Sequence, residues 1–472
     1  MDRLSTLDAE FLYLEDGIAH MHIAGISIFE GPAPNADDLT RLIGSKLHLM
    51  PRYRQRVHFV PLELGRPVWV DDPHFNLDYH VRHTALPPPG SDADLCGLMA
   101  RLMSQPLDRN RPLWEEWFVE NLPGGRWALI SKVHHCMVDG IAGVGLLAVM
   151  LDADRDAPLP DAPAWSPAPE PSLPAVLADA WAGLAADTAG LVGRLPHALG
   201  QPATTLRGTG RALGGLLTLG RNLANTEPLS IEGAIGPHRR WAHSSSSLED
   251  VRVVRRAFGG TINDVVLSAV ASGYRTLLRS RGEDADHAVV RSLVPVSVRA
   301  QDASGVTQNR VSAILYTLPV HLADPLERLR AVEAQMGELK HSGMAEAGDL
   351  VTSMGDLAPP MVVGSLTRAG VRVMHRLSQR SINTVTTNVP GPQFPLYCLG
   401  REMLEYRPYV PISHGVRIGA AILSYNGHLF YGITGDYDTA ADVGLLAQAI
   451  SDGVIELHDL AVASRAESAS VT

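Results

Sequence analysis

The stretch DAPLPDAPAWSPAPEPSLP, ending at Pro174, constrains the whole chain. Rich in proline and alanine, it cannot form a regular element and reads as an extended linker. Overlapping its end, Leu173, Leu177, Trp181, Leu184, Thr188, Leu191 and Leu195 recur near helical spacing. RALGGLLTLGRNL continues in the same style after Pro196 and Pro202. The sequence therefore divides into a first domain over 1–151, a Pro/Ala-rich and partly helical linker over 152–227, and a second domain over 228–472. Length agrees, since 472 residues are too many for one ordinary core.

Both flanking segments mix strands with helices, an α/β pattern. In the first, MHIAGISIFEG alternates like a strand. DADLCGLMARLMSQPLD places Leu95, Leu98, Met99 and Leu102 on one helix face. RWALISKVHH reads as a strand with Trp127, Leu129, Ser131, Val133 and His135 on one side and Ile130, Lys132 and His134 on the other. GIAGVGLLAVMLD reads as the helix after it.

In the second segment, SSLEDVRVVRRAF has Ser246 three residues before Glu249, a capping-box pattern. TINDVVLSAVASGYRTLL repeats that pattern from Thr261 to Asp264 and is expected to be a long buried helix. VVRSLVPVSVR, VSAILYTLPV, INTVTTNVPGP, RIGAAILSYNG and HLFYGITGDYD read as strands, and Asn426-Gly427 is a hairpin turn signal. DPLERLRAVEAQMGELK, with Pro325 at its first position, and the closing TAADVGLLAQAISDGVIELHDL read as helices.

A formal net charge of −11 argues against general nucleic-acid binding. Cys96, Cys136 and Cys398 form no CxxC pair and are expected as buried thiols in a reducing compartment. The N-terminus, MDRLSTLDAEFLYLEDG, carries acids where a signal peptide is apolar. The longest uncharged apolar run, IAGVGLLAVML, is shorter than the ~18 residues of a membrane span. A cytoplasmic protein is expected, with contact at a membrane surface left open. GxxxxGK[ST], a GxGxxG after a strand, GxSxG and HExxH are all missing from the sequence, and His20 and His22 read as a strand alternation rather than a metal pair.

The chemistry is concentrated in SKVHHCMVDGIAG, residues 131–143. A histidine at the end of a buried strand suits a general base, because its pKa lies near neutrality and its position is fixed. With no GxSxG nucleophile elbow in the sequence, such a base is read as activating a hydroxyl or amine supplied by a substrate. That implies direct transfer between two bound substrates. Asp139 is then expected to pair with an arginine and hold the loop, and Gly140 to let the backbone turn into the following helix. From these residues alone another reading stands beside it: a satisfied structural histidine pair, with Asp139 an ordinary helix N-cap.

HHCMVDG resembles the HHxxxDG signature of the bacterial wax ester synthase/diacylglycerol acyltransferase family, a signature shared with condensation domains of peptide synthetases. STLDAEFLYLEDGIAHMHIAG, RPLWEEWFVENL with its PLW element, GTINDVVLSAV with its ND element, VPVSVR, QNRVSAILYTLP and TTNVPGPQFPLY are similar to further blocks of that family, in the same order. The resemblance covers nearly the whole chain except the Pro/Ala-rich middle.

What the resemblance implies is two chloramphenicol acetyltransferase-like α/β domains with an active-site tunnel between them. Acyl-CoA enters as co-substrate, with no cofactor or metal, and the acceptor is diacylglycerol or a long-chain alcohol. His135 is the implied general base, His134 supporting and Asp139 structural. Asn263 is expected near the site, and Asp264 as a cap. Pro112, Leu113 and Trp114 are expected to shape the domain. Arg299 is the expected partner of Asp139. Thr386 and Thr387 are candidates for an oxyanion hydroxyl or plain β-formers. The leucine-rich middle helices are expected either to pack on the two domains or to lie on a membrane or lipid-droplet surface. Two other functions stay open: a condensation-type acyltransferase using a carrier-protein donor or glycolipid acceptor, and a non-catalytic lipid-binding homologue.

Overall fold

The computed structural model describes residues 1–61, 64–137, 149–183, 227–301, 307–341 and 382–470. In chain order the principal elements are α1 (Thr6–Leu14), β1 (His22–Phe29), β2 (Val81–Ala85), α2 (Asp92–Met103), β3 (Trp114–Glu120), β4 (Trp127–His134), β5 (Arg239–Ser247), α3 (Leu248–Phe258), α4 (Ile262–Ser280), β6 (Val290–Gln301), β7 (Thr307–Leu318), α5 (Pro325–His341), β8 (Thr384–Pro390), β9 (Tyr397–Cys398), β10 (Arg401–Tyr409), β11 (Ile418–Tyr425), β12 (His428–Asp436) and α6 (Val443–Ser470).

Two six-stranded mixed sheets organise the molecule. The first runs β9-β10-β1-β4-β3-β2 and the second β7-β6-β8-β11-β12-β5. In the first, β1 pairs antiparallel with β4, which places His22 opposite His134. The order of this sheet crosses the boundary expected from the linker. Strands β9 and β10 come from residues 397–409 yet lie in the N-terminal sheet, with Tyr406 opposite Ser27 and Tyr409 opposite Ala24. Each half is thus a spatial unit, and the first is discontinuous in the chain.

The alternation expected in β4 places its side chains in two cores. Ala128 and Ile130 join Leu95, Leu98, Met99 and Leu102 of α2. Trp127, Leu129 and Val133 join Phe29, Trp114 and Phe118, together with Leu423, Tyr425 and Phe430 of the second sheet. Lys132 points to the α2 side, where its Nζ donates to the carbonyls of Leu102 (2.9 Å) and Gln105 (2.7 Å) beside the helix C-terminus. In the second half, α4 is buried along most of its length against α6 and the sheet. Each fully buried Val or Leu there contributes about 1.5–3 kcal/mol. Gly273 sets the approach of the two helices, since a Cβ there would lie 2.6 Å from Ile450 Cγ1.

Thr261 and Asp264 form the capping box expected of α4. The cap of α3 is one residue later than expected: Ser247 accepts from the amides of Glu249 and Asp250. Ser246 faces the buried side of β5 instead and bonds Tyr431 Oη at 2.7 Å. Asn426 and Gly427, both with positive φ, close the β11–β12 hairpin. Cys136 and Cys398 are buried free thiols, whereas Cys96 is only partly buried. In the middle section residues 173–183 are helical, with Val176 and Ala180 buried against Val60 while Leu173 and Trp181 are 56% and 60% exposed. The helix expected over GIAGVGLLAVMLD and the rest of the middle section fall largely outside the described residues.

Candidate active site

Strand β4 ends where its backbone is held from both sides. The His134 amide donates to Leu113 O (2.9 Å) and the His135 amide to Met21 O (2.8 Å). A short 3-10 turn, His135–Met137, then lifts the chain away. Leu113 packs under this turn with Leu12 and Cys136. Trp114 donates its indole N–H to Tyr53 O (2.8 Å) and stacks on His80. Leu113 and Trp114 thus make packing and hydrogen-bond contacts at the strand end. Pro112 is buried, and its carbonyl accepts from the Trp114 amide.

The ring of His135 stacks on Phe11 of α1, with centroids 4.0 Å apart and planes inclined by 27°. Its Nδ1 is buried and has no hydrogen-bond partner. Burial lowers its pKa to about 4, helped by neighbouring His134 and opposed by its own main-chain carbonyl. The expectation of a near-neutral pKa is therefore corrected: desolvation keeps this imidazole uncharged through the neutral range.

His134 turns to the other side of the strand. The Cys136 amide donates to its Nδ1 at 3.2 Å. An Nδ1 that accepts leaves the proton on Nε2, and Nε2 lies 3.5 Å from Glu15 Oε2. Glu15, at the C-cap of α1, is the centre of a buried cluster that sequence reading did not find. Arg109 grips it through Nη2 (2.6 Å) and Nε (3.2 Å), and the Met21 amide donates to Oε1. His22 Nε2 (3.1 Å) and His20 Nδ1 (3.6 Å) also crowd Oε1. The three histidine contacts are close approaches rather than aligned hydrogen bonds. Burial would raise the Glu15 carboxyl, but His134, His20 and His22 outweigh it and hold the group well below the usual carboxylate range. Burial lowers His22 to about 3.

The second half supplies its residues from α4 and β8. Asn388 Nδ2 donates to Asn263 Oδ1 at 3.0 Å, tying the ND element to TTNVPGP. Asp264 caps α4 and is used up in that role. The two threonines part company. Thr386 is fully buried and accepts from Ser292 Oγ at 2.8 Å. It lies on the β8 side shared with Thr384, whose hydroxyl meets Tyr274 of α4. Of the two alternatives expected for these threonines, Thr386 has the surroundings of a buried β-former. Thr387 is on the opposite side with Val385, which packs in the cluster that includes Phe11, Ile18 and Met21. Asp139 and Gly140 lie outside the described residues, as does the side chain of Arg299, whose backbone pairs with Asn309.

No sequence signal marked Phe11, Glu15, Arg109 or Asn388 singly. The one available clue was the HMH alternation, which puts His20 and His22 on the same face.

Two mixed α/β halves, with a histidine pair presented from the end of a central strand, have the fold of condensation-type acyltransferases. The first condensation domain of the CDA synthetase superposes with a TM-score of 0.58 at 16% identity, over 97% of this chain and 96% of that one. The wax ester synthase/diacylglycerol acyltransferase from Marinobacter aquaeolei VT8 superposes with a TM-score of 0.67 at 24% identity, over 97% and 99%.

Sequence comparison is more specific. The wax ester synthase/diacylglycerol acyltransferase catalytic domain matches residues 4–266, and that family's C-terminal domain matches residues 307–458. A probable diacylglycerol O-acyltransferase of Mycobacterium tuberculosis, tgs1, is 38% identical over 460 residues, 97% of this chain and 96% of that one. A second, putative one from the same organism is 31% identical over 472 residues, 97% and 91%. The chain belongs to the wax ester synthase/diacylglycerol acyltransferase family and is an acyltransferase.

Proposed function

We propose that this enzyme moves a long-chain acyl group from acyl-CoA to the hydroxyl of diacylglycerol, or of a long-chain alcohol, with His135 as general base. The observation that carries the reading is the His135 imidazole itself. It is fixed by β4 and Phe11, uncharged at neutral pH, and joined to no other side chain by a hydrogen bond. In this reading Nδ1 carries the proton and the Nε2 lone pair is left for substrate.

In the reaction the acceptor O–H gives its proton to Nε2 as its oxygen attacks the thioester carbon. The tetrahedral oxyanion is met by the Thr387 hydroxyl. The C–S bond then breaks, and the imidazolium returns the proton to the CoA thiolate, giving ester and free CoA. Glu15 acts through His134 to position the strand end, and Asn388 with Asn263 positions the facing wall. The acceptor is a lipid, so the reading includes peripheral contact with a membrane or droplet surface. Leu173 and Trp181, exposed within the linker, are candidates for that contact.

The test uses purified protein with a long-chain acyl-CoA and, separately, diacylglycerol, hexadecanol or no acceptor. Free thiol is followed and esters are resolved by thin-layer chromatography. Acceptor-dependent ester formation is expected, reduced ~100-fold or more in folded His135→Ala. Equal rates in the variant would remove His135 as base. Ester from neither alcohol would remove the acceptor assignment.

A further inference from the structure

Away from the histidine pair, Asp92, Cys96 and His243 bring a carboxylate oxygen, a thiol sulfur and an imidazole nitrogen within 4.8 Å of one another. Among the described residues this is the group of three or more such donors that meets so closely. Asp92 opens α2, and Cys96 is one turn further along the same face. His243 comes from β5, the edge strand of the other sheet. Both Cys96 Sγ (3.8 Å) and His243 Nε2 (2.8 Å) converge on a single atom, Asp92 Oδ2. The other oxygen, Oδ1, is taken by Arg407 Nη1 at 2.5 Å. Arg407 is itself held by Glu405, so it turns the carboxylate and presents Oδ2 to the other two donors. The His243 ring is braced by Trp241 at 5.6 Å.

The geometry points to a binding site for a zinc-class divalent cation at Asp92, Cys96 and His243, pinning helix α2 of one half to strand β5 of the other. A sulfur, a nitrogen and an oxygen donor make a borderline-soft set that favours zinc over magnesium or calcium. Tetrahedral zinc separates such donors by about 3.3–3.6 Å. The observed 2.8 and 3.8 Å straddle that value, and all three donor atoms lie within 4.8 Å of one another, so side-chain shifts bring them to the ion. Asp92 is more than half exposed, and a water can complete the fourth position. Binding releases the thiol proton to solvent and changes no oxidation state. Arg407 opposes the cation by charge but leaves its oxygen free, so moderate rather than extreme affinity is expected.

Full-length protein, stripped with chelator, would be titrated with Co2+ and then Zn2+. One Co2+ per chain is expected, with a thiolate-to-cobalt charge-transfer band that Zn2+ abolishes by displacement. Cys96→Ser and His243→Ala should each lose the band while keeping the wild-type circular dichroism. Zn2+ should raise Tm in the wild type and leave Cys96→Ser unmoved. The assignment is overturned by the lack of a saturable band, or by a band that survives in Cys96→Ser. Neither outcome depends on acyl transfer, and neither residue belongs to the catalytic machinery.

Discussion

Glu15 Oε2 faces His134 Nε2 at 3.5 Å while the neighbouring His135 turns the opposite way onto Phe11. One strand end thus carries two imidazoles in separate surroundings, one beside Glu15 and one stacked on Phe11. Glu15→Gln keeps the shape and removes the charge that Arg109 grips. Loss of this charged pair is expected to cost about 2 kcal/mol of stability, and kcat should fall with KM nearly unchanged. Denaturant unfolding beside steady-state kinetics checks both. Wild-type stability with wild-type kcat would show that the carboxylate positions nothing.

The lowered pKa of His135 sets where activity begins. The acid limb of kcat/KM should have its midpoint near pH 4, not near the ordinary histidine value of about 6.5. Phe11→Ala lets water onto the ring, so the midpoint should move up toward 6.5 while kcat drops ~10-fold. A wild-type midpoint already at 6.5 would contradict the desolvated base.

Stability should follow pH in the same direction. His22 and His135 have folded pKa values of about 3 and about 4, below the unfolded value. The unfolded chain therefore takes up protons first as the pH falls. Their contribution is complete above about pH 6.5 and lost as the pH drops toward 4, by about 1.4 kcal/mol per pH unit for each histidine. Unfolding free energies across that window check the slope, and His135→Ala should make it shallower. A flat profile between pH 6.5 and 5 would sink the argument.

Thr386 and Thr387 should respond differently to the same substitution. Thr387→Val is expected to lower kcat ~100-fold with little change in stability. Thr386→Val leaves the buried Ser292 hydroxyl without this acceptor and should cost about 1–3 kcal/mol with a smaller effect on rate. Exchanged phenotypes would reverse the assignment of the two faces of β8.

Elements with strong local patterns were legible in the sequence: β1, β4, the buried α4, and the Asn426-Gly427 hairpin. Strands without such patterns were not. The serine run in β5 and the charged REMLEYRPY of β10 are strands because of what they pair with, and register between distant segments leaves no local mark. The cap of α3 slipped by one residue because two adjacent serines satisfy the same rule and Tyr431 claims one of them. The histidine pair was legible as a motif, but the lowered pKa of His135 was not, since desolvation is a property of the assembled cluster. Glu15 looked like one acid among several until the fold gathered three histidines and an arginine around it.

The place of β10 has a consequence for synthesis. The sheet that carries the histidine pair is completed by residues 401–409, which leave the ribosome long after His134. Until they arrive, β1 has an unpaired edge, and such an edge is a template for the wrong strand. The nascent first half is thus exposed to misassembly for most of translation. Expressed alone, it would lack the strand that pairs with β1 in its sheet.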